Sequence, residues 1–95
     1  MEFEKNIEQY LVRETEKRWG VCLKAGQNGW PDRIVILPGG WCTWVELKRV
    51  GGELSPLQQT RIAKLRALGQ RVRVVWTRAD VDCLMQEWCV DRPCP

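Results

Sequence analysis

A chain of 95 residues with 44% hydrophobic and 28% charged residues has the length and composition of one small folded domain, not of a disordered polymer. No run approaches the roughly 18 apolar residues of a membrane span, and the opening Met1-Glu2-Phe3-Glu4-Lys5 lacks a signal-peptide core, so an intracellular protein is expected. The net charge is only +3, and five cysteines without Cys-x-x-Cys spacing, in a chain with no histidine, argue for free thiols rather than zinc or disulfides.

From about Phe3 to Trp19, the apolar residues Phe3, Ile7, Tyr10 and Leu11 recur at helical spacing and predict an amphipathic helix that stops at Gly20. Its polar flank carries Glu4 and Glu8, one turn apart. Val21-Cys22-Leu23-Lys24 reads as a short strand, and Ala25-Gly26-Gln27-Asn28-Gly29 as a turn-rich loop that shapes substrate access beside Pro31-Asp32.

The stretch from Trp30 to Lys48 organises the chain. Ile34-Val35-Ile36-Leu37 and Trp41-Cys42-Thr43-Trp44-Val45 are β-rich runs joined by Pro38-Gly39-Gly40, which predicts a hairpin. Side chains alternate along a strand, so Glu46 and Lys48 share a face, with Trp44 in their phase and Trp41 in the other. Asp32 stands at the mouth of the first strand, where the turn can bring it beside Glu46. Two carboxylates and an ammonium in one place suit Mg²⁺, which takes oxygen ligands from one or two carboxylates and keeps waters for its substrate.

Beyond a glycine-bearing loop, Ser55-Pro56-Leu57-Gln58 carries three helix-start signals: a serine N-cap, proline at the first helical position and glutamine three residues after the serine. The helix continues with Ile62, Leu65 and Leu68 as its buried stripe and stops at Gly69. Arg71-Val72-Arg73-Val74-Val75-Trp76 alternates as a strand with an apolar inner side formed by the valines and Trp76. Thr77 caps a last helix from about Arg78 to Trp88, with Val81, Leu84, Met85 and Trp88 as its stripe. Residues 1–88 are thus expected as one domain and residues 89–95 as a disordered tail. Between Pro56 and Ala79 stand Arg61, Lys64, Arg66, Arg71, Arg73 and Arg78 with no acidic residue, a basic field that a phosphate backbone would favour.

Pro31-Asp32 followed by Glu46-Leu47-Lys48 resembles the PD-(D/E)xK nuclease signature. The ordered set Gly29-Trp30-Pro31-Asp32-Arg33, Val45-Glu46-Leu47-Lys48, Gly52 through Ser55, Gln58 and Leu68-Gly69 resembles its VRR-NUC branch, the virus-type replication and repair nucleases, over about residues 4–80. Trp30 replaces the small residue that the family usually places before the proline.

The resemblance implies an α/β fold with a restriction-endonuclease-like core, a small mixed sheet flanked by helices. It also implies a metal-dependent DNA endonuclease, with Asp32, Glu46 and the Leu47 carbonyl on Mg²⁺ or Mn²⁺ and Lys48 beside the attacking water. A lysine needs burial or a nearby cation to act as a base, so stabilising transition-state charge is the role expected of Lys48. Glu4, with Glu8 as its competitor, and Gln58, which also fits as a cap partner, join as second-rank site residues. Lys24, Arg33, Arg49, Arg61 and Lys64 are the expected nucleic-acid contacts. The implied substrate is branched DNA such as a four-way (Holliday) junction or flap, the implied assembly a homodimer, and the implied setting the cytoplasm of a bacterium or phage-infected cell. Two other readings stand beside it: a non-catalytic nucleic-acid-binding module, and a structural domain whose Asp32 and Glu46 only pair with Arg33, Lys48 or Arg49.

Overall fold

A computed structural model describes residues 3–91. The elements follow the predicted order: α1 (Glu4–Lys17), β1 (Val21–Lys24), β2 (Arg33–Leu37), β3 (Trp41–Leu47), α2 (Pro56–Ala67), β4 (Val72–Val75) and α3 (Arg78–Asp91). The strands form one sheet in the order β1-β2-β3-β4. The first two pairings are antiparallel and the third is parallel, with α2 as the crossover that a parallel pair requires. In the hairpin, Leu37 pairs with Trp41, so Pro38-Gly39-Gly40 is the whole loop.

Strand alternation divides β3 between two cores. Trp41, Val45 and Leu47 join Val35, Leu37 and Val75 against Ile7 and Leu11 of α1 and Val81, Leu84, Met85 and Trp88 of α3. Trp44 faces the other way, into a smaller cluster with Ile62 and Leu65 of α2, Val72, Val74, Leu54 and Trp30. Helix starts follow the local signals. Ser55 and Gln58 form the reciprocal capping box on α2, and the Thr77 hydroxyl accepts the Asp80 N–H at α3.

Three sequence expectations change. The arginines of β4 are not a free basic field: α3 packs on their face, Val75 enters the main core, Arg73 pairs with Glu87, and Arg71 pairs with Glu87 and Asp91. Arg78 lies over the Tyr10 ring, so the basic stretch is no single field, and only Arg61, Lys64 and Arg66 belong to α2. Leu68 sits at the C-cap, past the part of α2 that meets the sheet, and is 65% exposed, leaving Ile62 and Leu65 as the buried stripe. Finally, α3 runs on through Cys89, Val90 and Asp91, where a tail was expected, because the Arg71–Asp91 pair ties its last turn to the sheet; residues 92–95 lie outside the described residues.

The passage from α1 to β1 is tight at Gly20. A Cβ there would lie 2.5 Å from the Ile36 carbonyl oxygen and 2.8 Å from Leu37 Cδ2, a clash with backbone that no rotamer relieves. Gly20→Ala is expected to lower the unfolding free energy by about 1–3 kcal/mol. Urea denaturation measures this, and an unchanged midpoint would show that the turn has room for a side chain.

Candidate active site

The hairpin register assembles the site. Arg33 pairs with Val45, so Asp32, one residue earlier, comes alongside Glu46 and Leu47. The Leu47 N–H donates to Asp32 Oδ2 at 2.8 Å, which fixes the carboxylate at the end of β3. Glu46 is only 2% exposed. Gln58 Nε2 approaches Glu46 Oε1 at a long 3.5 Å, while Gln58 Oε1 accepts the Ser55 N–H at 2.9 Å. The two roles open for Gln58 in the sequence therefore coexist: one amide closes the helix cap and reaches the buried carboxylate.

The electrostatics are those of two acids competing for one charge. The Glu46 carboxyl is pushed up to about 8, first by burial, then by the adjoining Asp32 carboxyl and its charge; Lys48 pulls the other way and Glu4 adds a smaller push upward. Glu46 Oε2 is buried with no hydrogen-bond partner. A buried carboxyl oxygen without a donor, beside a second carboxylate, is what a divalent cation would relieve, so the donor set fits Mg²⁺ or Mn²⁺. Among the described residues no three His, Cys, Asp or Glu side chains gather as a metal cage, so further ligands would be the Leu47 carbonyl and water. Asp32, Glu46 and Lys48 form no ion pair within 4.0 Å among the described residues, although the Lys48 charge acts on Glu46.

The periphery is sorted by which side of the sheet each residue occupies. Glu8 is taken by Arg33, whose Nε lies 2.8 Å from Glu8 Oε2 and whose Nη1 donates to the Cys22 carbonyl. Arg33 shares the phase of Val35 and Leu37 and thus faces α1, away from the carboxylates; it serves the fold and does not join the other expected nucleic-acid contacts. Glu4 is exposed and near enough to act on Glu46, which separates it from Glu8. Lys24, Arg49 and Lys64 are exposed, Lys48 is half-buried, and Arg61 lies over the Trp30 ring at 4.7 Å. Sequence reasoning missed the open cavity that Trp30 and Trp44 form with Lys24 and Leu65. The unusual Trp30 was its one signal, but Arg61 reaches the Asn28 carbonyl across 33 positions of sequence, a closure that no local pattern announces.

A mixed four-stranded sheet presenting Asp32 and the Glu46-Leu47-Lys48 segment from one hairpin defines a nuclease domain with a restriction-endonuclease-like fold. No family model matches the sequence. The chain is 41% identical over 75 residues to "Putative nuclease p44" of Acyrthosiphon pisum secondary endosymbiont phage 1, across 76% of this chain and 81% of that protein. A solved structure described as a VRR_NUC domain superposes with a TM-score of 0.81 and 30% identity, covering 90% of this chain and 96% of that one. The chain belongs to the VRR-NUC family of nucleases.

The raised Glu46 value has a consequence for stability without metal. The unfolded carboxyl ionises near 4.5 while the folded one keeps its proton to about 8, so the native state binds more protons between those values. This contribution is fully present below about pH 4.5 and is lost as pH rises to about 8. In chelator, the wild-type melting temperature is expected to fall across that window relative to Glu46→Gln. Parallel pH profiles for the two proteins would show that Glu46 does not titrate in this way.

Proposed function

We propose that this chain is a metal-dependent DNA endonuclease acting on branched DNA. The observation that carries the proposal is the buried Glu46 beside Asp32, with an unpartnered oxygen and with Lys48 on the same strand face. Asp32, Glu46 and the Leu47 carbonyl would hold Mg²⁺ or Mn²⁺, which when bound supplies charge neutralisation at the phosphate and acidifies water. The chain's own residues set the geometry. The Leu47 N–H occupies Asp32 Oδ2 and leaves Oδ1 outside that bond, and Gln58 steadies Glu46 through Oε1, leaving Oε2 for the ligand. The Lys48 ammonium donates to a phosphate oxygen and holds the attacking water as negative charge develops. Glu4 lends negative charge at the rim. The exposed Lys24, Arg49 and Lys64, with Arg61, receive the flanking phosphates.

Branched DNA, as a four-way junction or flap, calls for more than one duplex arm on the protein, and a homodimer would supply two sites related by a twofold axis. Support for a second copy comes from β1 and β2. Val21 and Leu23 pair with Ile36 and Ile34 on one face of an edge strand, and Val21, Leu23 and Ile36 are 48%, 48% and 37% exposed. The phage source of the 41%-identical relative supports a setting in a bacterium or phage-infected cell. No helix among the described residues is long and apolar enough to cross a membrane.

The deciding assay compares labelled junction, flap, duplex and single-stranded DNA with Mg²⁺, Mn²⁺ or chelator. Cutting is expected only with metal, and Lys48→Ala is expected to lower its rate at least about a hundredfold with an unfolding midpoint close to wild type. Salt-sensitive binding with no cutting of any substrate would instead assign a nucleic-acid-binding module. Light scattering tests the assembly: a dimer is expected, and Leu23→Glu is expected to give monomers. A monomeric wild-type protein would remove the two-site model and favour flaps.

A further inference from the structure

Next to the carboxylates lies a cavity of about 350 Å³ that none of the proposed catalytic roles uses. It opens between the 25–29 loop and α2, with Trp30, Trp44 and Leu65 as walls, Gly26 on one side and Lys24 at the rim. Its distance from the chemistry is short. A Cβ built on Gly26 would meet Asp32 Oδ1 at 3.8 Å, so a residue that lines the cavity is a close neighbour of the carboxylate.

The walls are held in place from outside. Arg61 covers the Trp30 ring at 4.7 Å and donates through Nε to the Asn28 carbonyl at 3.2 Å, clamping the loop to α2. Gly29 adopts φ +80 with its Cβ position only 2.7 Å from Leu57 Cγ, so the loop lies flat on the start of the helix. Trp44 Nε1 donates to Gln70 Oε1 at 3.2 Å, which satisfies the indole N–H and leaves the ring as an apolar surface. Ala25 and Gly26 donate to the Asp32 and Pro31 carbonyls at 2.8 and 2.9 Å, tying the opposite wall to the strand that carries Asp32.

We propose that this cavity receives one unpaired nucleobase of the DNA, from a nucleotide next to the phosphodiester to be cut. The inference rests on the reading of the chain as a nuclease. A preformed space at the small end of the usual ~300–1,000 Å³ for ligand sites, walled by two indoles, suits a planar aromatic guest. A cation at the rim suits the phosphate attached to it. A paired base cannot enter without leaving its stack, whereas a bulged or branch-point base enters without that cost. The pocket therefore selects DNA with an unpaired nucleotide at the cut, such as a flap or a bulge, independently of base sequence, whereas a fully paired four-way junction offers it no such base.

The test measures binding in chelator at low salt, where any duplex binds the cationic surface and no cutting intervenes. Fluorescence anisotropy compares a labelled duplex carrying a single-nucleotide bulge with the fully paired duplex. The bulged DNA is expected to bind roughly 5- to 150-fold tighter, the range that one base–aromatic stack provides. Trp30→Leu, which removes a wall, and Ala25→Leu, which intrudes on the cavity with both indoles in place, are each expected to bring that ratio toward one. Should Trp30→Leu fail to fold by circular dichroism, Ala25→Leu decides. Equal binding of the two DNAs by the wild-type protein, or a ratio preserved in a folded variant, overturns the pocket. Cleavage with Mg²⁺ or Mn²⁺ is scored separately: a preserved preference without cutting defeats the nuclease reading alone, and cutting without the preference defeats the pocket alone.

Discussion

The single hydrogen bond from the Leu47 N–H to Asp32 Oδ2 carries more of this molecule than its 2.8 Å suggests. It closes the open end of the hairpin, since Asp32 precedes β2 and Leu47 ends β3. It also sets a second acid against Glu46, which the sheet has already buried. Burial and a neighbouring carboxylate each disfavour ionisation, and here they act on one group. The fold thus holds an electrostatically unfavourable pair in a place where apolar residues would be more stable. Such an arrangement is common at functional sites, where burial and a neighbouring acid shift a carboxyl together.

The sheet keeps that tension from spreading. One face, packed by α1 and α3, carries most of the apolar burial and closes over the β4 arginines with acidic partners from α3. The other face is only partly covered by α2, and there the carboxylates, Lys48, the two indoles and the exposed part of β1 and β2 all stand. Strand alternation, with its period of two, sends Val45 and Leu47 into the α1–α3 core and Glu46 and Lys48 to the other face. α2 serves both packing and the site: its first turn meets Glu46 through Gln58, its middle buries Ile62 and Leu65, and Arg61 braces the loop beside Asp32.

What the sequence determined by itself is what depends on near neighbours. Strand alternation placed Glu46, Lys48 and Trp44 on one face, the Pro-Gly-Gly turn gave the hairpin, and Ser55-Pro56-Leu57-Gln58 and Thr77 marked the starts of α2 and α3. The ordered Asp, Glu and Lys motif, read as a resemblance, led to the family that the relatives then showed. Tertiary structure decided what depends on partners distant in the chain. Glu8 and Glu4 lie on one flank of a helical wheel, and tertiary neighbours separate them: Arg33 takes Glu8 across 25 positions, and Glu4 comes near Glu46. Arg71 and Arg73 read as a nucleic-acid field until α3 folds back and supplies Glu87 and Asp91. The cavity beside Asp32 exists only because α2 pins a loop more than thirty residues earlier. Local patterns fix which way a side chain points, through backbone geometry; what it meets there is set by chain closure, and the sequence carries no periodic trace of that.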